Sequence, residues 1–223
     1  MNEPNINVAI VSDTKIRIIL DGLFFGDDFG KIFSGKVEAE YYFGKIQLIH
    51  DSKKYYTNCI TFHPEDFSNE SFLVKGVTIG KSFHWEKKED ERFRGSLKLI
   101  VENEKITVVN TIPVESYLLS VIASEMSATS SEHFLKAHAI ISRSWLFAQI
   151  QKRENSLNDN PFEFTLSKDE IVKWYDREDH KLYDFCADDH CQRYQGITKA
   201  YTNRVARAIL ETRGLVLTHN NRI

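Results

Sequence analysis

Two places in the chain hold residues of the right type and spacing for chemistry. The first is Glu125, seven positions after Leu118 and four after Val121. Helical periodicity therefore sets its carboxylate on the stripe of those apolar side chains. An ionised carboxylate facing a core is costly, and a carboxylic acid that keeps its proton is what general acid catalysis requires. The same spacing also allows a helix that ends before Ser124, leaving Glu125 in solvent or capping the next helix. The second place carries His180, Cys186, His190 and Cys191 within twelve residues. Two thiolates and two imidazoles suit a closed tetrahedral zinc site. The spacing is not that of a zinc finger, and adjacent His190 and Cys191 reach one ion only from an irregular loop. A Cys186–Cys191 disulfide, or free thiols beside exposed histidines, are competing readings. A shell of four protein ligands leaves no open position, so a zinc held there is structural and does not activate water.

The elements that must carry these residues change character along the chain. Up to about residue 112 the sequence reads as strands, at Ile6–Val11, Lys15–Leu20, Lys36–Phe43, Lys45–Ile49, Tyr55–Phe62, Phe72–Ile79, Ser96–Val101 and Lys105–Asn110. Glu102-Asn103-Glu104 reads as a hairpin loop between the last two. From Pro113 the period becomes helical, with Val114, Tyr117, Leu118, Val121 and Ile122 on one stripe. A second helix is expected after an N-cap at Ser130 or Ser131, with Phe134, Leu135, Ile141, Trp145 and Ala148 as its apolar face. A polar stretch over 153–169, a short helix at about 169–176, a helix at about 202–211 and a strand at Leu215–Thr218 complete the pattern. The closing Asn220-Asn221 turn predicts a further strand, so the sheet is expected to be incomplete and the domain truncated. The predicted fold is α+β, with a β-rich region over 1–112 and a helical catalytic segment over 113–223 packed on a mixed sheet.

Composition narrows the function classes. Apolar residues are 42% and charged residues 27% of 223, with 15 Phe, 9 Tyr and 3 Trp, which excludes a disordered chain. A net charge of −3 gives no electrostatic reason for a nucleic-acid partner or an anionic membrane. No apolar run approaches the roughly 18 residues of a membrane helix. Met1–Ile10 has neither a basic n-region nor an apolar h-region, so no signal peptide is expected. Three cysteines are too few for a disulfide framework, and Cys59 reads as an ordinary strand residue.

Several linked motifs resemble one family. Phe93-Arg94-Gly95-Ser96-Leu97, Val108-Val109-Asn110, Pro113-Val114-Glu115-Ser116-Tyr117-Leu118 and Ala123-Ser124-Glu125-Met126 occur in that order. Leu135-Lys136-Ala137-His138-Ala139, Ser142-Arg143-Ser144, Cys191-Gln192-x-Tyr194-x-Gly196 and Thr212-x-Gly214-x-Val216-Leu217 follow them. Over about 93–218 the chain resembles the stage II sporulation protein D (SpoIID) family, which includes the amidase-enhancer proteins. The resemblance implies a peptidoglycan lytic transglycosylase acting on glycan strands stripped of stem peptides, with Glu125 as the catalytic carboxylate. It also implies zinc at the Cys/His loop, a location in the cell envelope, and other cell-wall hydrolases as companions. A non-catalytic peptidoglycan-binding or amidase-enhancing module is the alternative, and a zinc hydrolase the third reading. Lys136 and Arg143, seven apart on one helix face, are candidates for lactyl carboxylates or sugar hydroxyls, against a merely solvated basic face. Gln192 and Tyr194 are candidates for an acetamido group and for stacking on a sugar ring, against core packing. The chain departs from the family pattern in three segments. Ser127 replaces Pro, Ser142-Arg143-Ser144-Trp145 replaces ARTY, and His138 replaces Gln. His138 is then a second polar site residue or a buried histidine with a backbone partner.

Overall fold

The computed structural model describes residues 3–81, 83–127, 129–156, 180–198, 202–220 and 223. The helix expected at about 169–176, and most of the polar stretch before it, lie outside the described residues. The fold is α+β, as predicted. Ahead of the first helix come β1 (Asn5–Asp13), β2 (Lys15–Gly26), β3 (Lys31–Tyr42), β4 (Lys45–His50), β5 (Lys53–Thr57), β6 (Cys59–Pro64), β7 (Ser71–Ile79), β8 (Lys87–Phe93), β9 (Ser96–Glu102) and β10 (Lys105–Pro113). Then follow α1 (Val114–Glu125), α2 (Glu132–Ser156), the two-residue β11 (Phe185–Cys186) and α3 (Asn203–Glu211).

The strands join in one sheet ordered β11-β1-β10-β9-β6-β2-β3-β4-β5. It forks at β2. Ile18–Asp21 of that strand pair with β7, and Phe24–Gly26 pair with β6. Strand β10 lies between β1 and β9, and Ile106 to Asn110 along it are all buried. Ile106 and Val108 join the main core, while Val109 packs with Ala9 and Ile100 in a smaller one. The main core is continuous through both halves of the chain, from Val8 and Phe72 to Tyr117, Leu146 and Ile209. The parallel pairing of β11 with β1 also ties the Cys/His segment to the first strand.

Three expectations are corrected, and one strand, β8, was not expected. The run Tyr55–Phe62 is two strands, because the Thr57 hydroxyl donates to the Cys59 carbonyl at 2.7 Å and turns the chain between them. Strand β8, with the sequence Lys-Lys-Glu-Asp-Glu-Arg-Phe, had no apolar alternation to mark it, and it forms by pairing with β7. Leu215–Thr218 is irregular rather than a strand, since its backbone bonds to α2 side chains: Arg143 donates to the Leu215 carbonyl and Leu217 N–H to Ser144 Oγ. Helix α2 buries Leu135, Ala139, Arg143 and Leu146, whereas Phe134 and Ile141 are exposed, so its inner face is rotated from the purely apolar stripe.

Capping follows the sequence. Pro113 precedes α1 in an extended conformation, Ser131 Oγ accepts from Phe134 N–H at the head of α2, and Thr202 caps α3 through Val205 N–H.

Candidate functional site

The strand β10 runs straight into α1, and this junction places Glu125. Val114, Tyr117, Leu118, Val121 and Ile122 anchor the helix in the core, which leaves its final residue at the rim. The Glu125 side chain is 27% exposed, enough for a ligand to reach. Its Oε2 meets His138 Nε2 of α2 at 3.1 Å, and its Oε1 accepts the backbone N–H of Arg193 at 3.1 Å. The surroundings are therefore more polar than the apolar stripe predicted. Exposed Met126 follows Glu125, and exposed Phe134 stands beside the His138 ring with centroids 6.3 Å apart.

Arg193 belongs to the Cys/His loop, which is fixed along its length. Asp184 Oδ2 accepts Asn7 N–H at 2.7 Å and its Oδ1 pairs with Arg153 at 2.6 Å. Ala187 N–H bonds to the Ala9 carbonyl and Gln195 N–H to Ser120 Oγ. Gly196 lies at φ +58, and a Cβ there would stand 2.1 Å from the Arg92 carbonyl, which accepts Ile197 N–H at 2.7 Å. Glycine alone allows that approach. Gly95 does the same on the other side, where a Cβ would meet the Thr111 carbonyl at 2.4 Å.

His180, Cys186, His190 and Cys191 converge, with one ligand atom from each lying within 4.8 Å of the others. The Sγ atoms of Cys186 and Cys191 are 3.3 Å apart; Cys191 Sγ is 3.5 Å from both His180 Nε2 and His190 Nδ1, and Cys186 Sγ is 3.8 Å from His190 Nδ1. Zinc bonds of about 2.3 Å to sulfur and about 2.0 Å to nitrogen, at tetrahedral angles, separate two sulfurs by about 3.8 Å and two nitrogens by about 3.3 Å. The sulfur pair therefore stands about half an ångström closer than a bound ion would hold it, while the sulfur–nitrogen distances match. The four residues fit a metal ion of that kind. Both cysteines are free, and a sulfur separation of 3.3 Å is far from a disulfide bond of about 2.05 Å. Hydrogen bonding to Cys191 Sγ, with help from His180 and His190 and against burial, pulls the Cys186 thiol well below its usual range. That favours the thiolate, the form a metal takes.

The remaining candidates turn inward. Arg143 is fully buried, donating through Nε and Nη2 to the two oxygens of Glu115 at 2.9 and 2.7 Å, and through Nη1 to the Leu215 carbonyl. Tyr194 is 2% exposed, stacked on Tyr117 and hydrogen-bonded to Asn110 Oδ1 at 2.6 Å. Burial drives its hydroxyl far above the ordinary range. Gln192 accepts from Tyr117 and donates to the Ser142 carbonyl inside the same core. All three are buried and held by hydrogen bonds within the core. Lys136 is partly exposed but held by Glu132 and Glu211.

Asn110 is the residue that sequence reasoning passed over. It is fully buried, donates to the carbonyls of Arg94 and Ser96, and accepts from Tyr194. A lone amide amid the apolar run of β10 was the available signal. A cavity of about 780 Å³ lies between β1, the β7–β8 hairpin and the Cys/His loop. Glu125 is not among its lining residues; Arg193 is, and the Arg193 amide holds Glu125.

A model of the stage II sporulation protein (SpoIID) family matches residues 102–219, more than half of the 223 residues. The chain belongs to the SpoIID family. No curated protein and no solved structure matches it. Family membership supports a sporulation- or cell-wall-related function. No helix among the described residues is long and apolar enough to cross a membrane.

Proposed function

We propose that this chain is a peptidoglycan lytic transglycosylase cleaving the bond between N-acetylmuramic acid and N-acetylglucosamine in denuded glycan strands. The observation that carries the reading is Glu125, a partly exposed carboxylate held between an imidazole and a backbone amide at the end of α1. In its protonated form Glu125 gives the proton to the glycosidic oxygen as that bond breaks. The carboxylate left behind removes the proton from the muramic C6 hydroxyl, whose oxygen closes on C1 to give the 1,6-anhydro ring. One carboxylate serves both steps, unlike the paired carboxylates of most glycoside hydrolases. Among the described residues, the groups bonded to Glu125 are a histidine ring nitrogen and a backbone amide, neither of them a carboxylate, which agrees with a single-carboxylate scheme. Exposed Met126 and Phe134 offer the apolar surface against which a sugar ring packs.

Zinc is the metal we assign to His180, Cys186, His190 and Cys191. It supplies structural cross-linking, because four protein ligands close its coordination. The loop it would tie holds Arg193, two residues after Cys191, and hence the amide on Glu125.

The test is mass spectrometry of denuded glycan strands incubated with the protein and with Glu125→Gln. Anhydro products from the native chain alone support the lytic reading. Glycan binding without products, equal in both proteins, would instead favour the binding or enhancer module.

A further inference from the structure

We propose that His138 is the positioning residue of Glu125, held as the neutral imidazole with its proton on Nε2 and donating to the carboxylate through both proton transfers. The inference rests on the lytic reading above. Its two observations are independent. His138 Nε2 lies 3.1 Å from Glu125 Oε2, and His138 Nδ1 is buried without a hydrogen-bond partner among the described residues.

Those facts decide between three protonation forms. An Nδ1–H tautomer would bury an unpaired donor and turn a bare Nε2 lone pair towards a carboxylate oxygen. The imidazolium would satisfy Nε2 but still bury Nδ1–H with nothing to receive it. The Nε2–H tautomer leaves only an acceptor unpaired, and orphaned buried acceptors are more common than orphaned N–H groups. The ring is only 12% exposed, so solvent offers little relief to the other forms. Charged and titratable groups on the surrounding elements are engaged elsewhere. Arg193 on the loop pairs with Asp189 and lies over the Trp85 ring, Arg204 of α3 reaches the Thr129 carbonyl, and Tyr117 of α1 bonds to Gln192. On α2 itself, Glu132 and Lys136 pair with each other.

A glutamine amide and an Nε2–H imidazole are both neutral donors at the tip of a side chain, so a His138→Gln exchange would preserve the bond to Glu125. Oε2 then keeps the His138 donor and Oε1 keeps the Arg193 amide, while the remaining lone pairs receive and release the travelling proton. The imidazole itself gives up no proton.

The experiment has two readouts on the full chain. Long-range proton–nitrogen correlation spectra of 15N-histidine-labelled protein at neutral pH should show the Nε2–H pattern for His138, assigned by its loss in His138→Gln. In steady-state kinetics, His138→Ala should lower kcat on the order of 10–100-fold with little change in KM, and His138→Gln should recover most of that loss. An Nδ1–H or imidazolium signature overturns the proposal, as does a His138→Gln variant no better than His138→Ala. If the native chain makes no anhydro product, the lytic reading fails, and the spectra still decide the tautomer.

Discussion

Helices α1 and α2 are joined by two acid–base pairs that look alike in sequence and differ in kind. Glu115 and Arg143 form one, Glu125 and His138 the other. In the first, both carboxylate oxygens are taken by a guanidinium that is fully buried, and the third arm of the fork bonds to a carbonyl. In the second, each oxygen receives a single N–H, the donors come from different segments, and the carboxylate still meets solvent. The difference lies in lone pairs. A carboxylate with about four acceptor sites, two of them engaged and one edge open, can take and return a proton. One clamped in a buried bidentate pair can only hold its helix in place.

Separating the two pairs by mutation gives the largest contrast. Glu125→Gln should lower turnover on the order of 10²–10⁴-fold, since the acid and the base are lost together, while leaving the melting temperature nearly unchanged. Arg143→Met should act the other way. It strands the Glu115 carboxylate beneath α2, at an expected cost of about 3–5 kcal/mol in denaturant unfolding. The Glu115→Met/Arg143→Met double variant should regain much of that stability, because both charges leave together. A turnover deficit in fully folded Arg143→Met at low temperature would show that the first pair also serves catalysis, and the distinction would collapse.

The Cys/His loop sharpens the contrast from the second side, because it feeds a donor to Glu125 but not to Glu115. Supplying zinc to chelated protein at a hundred- to thousand-fold excess over its Kd should raise stability by about 3–4 kcal/mol, or roughly 10 °C in melting temperature. Turnover should recover with it through Arg193. If chelation abolishes turnover and leaves melting unchanged, the metal does chemistry and the structural assignment is overturned.

Much of this was legible beforehand, and the misses have physical causes. The helix stripe Val114-Tyr117-Leu118-Val121-Ile122 predicts α1 because burial on one face has a 3.6-residue period, and the structure buries all five. Position along that stripe could not foresee that Glu125 closes the helix and so reaches the rim. The Cys/His cluster was readable from donor type alone. Arg143 was not, because periodicity reports which side chains share a face and says nothing of an acid on another helix that lets a guanidinium sink into the core. The burial of Tyr194 and Gln192 was hidden for a related reason: their polar tips are satisfied by Asn110 and Tyr117, contacts that span 84 and 75 residues of sequence. Strand β8 shows the same limit, since its charged residues carry no apolar alternation and its partner β7 is what makes it a strand.

A third ionic group on α2 supplies the weakest and most external test of the comparison. Glu211 bonds to Lys136 of α2 and to Arg207, and chiefly through the Arg207 hydrogen bond its carboxyl is held down to about 2, from an ordinary 4.5. A folded-state pKa below the unfolded one means that the unfolded chain binds the proton first. The stabilisation is then complete above about pH 4.5 and fades as pH falls towards 2. Lys136 behaves in the opposite sense, its ammonium pushed up by Glu132 and then Glu211, so its share is lost only in strong alkali. The cluster sits in solvent, where screening weakens every such pair, so the effect should be far smaller than that of Arg143→Met. The melting temperature of the native chain minus that of Glu211→Gln, measured at low salt, should be small and positive at pH 7 and shrink by pH 3. Raising the salt should flatten it, whereas the loss in Arg143→Met should persist, because ions in solution cannot reach a guanidinium with no exposed surface.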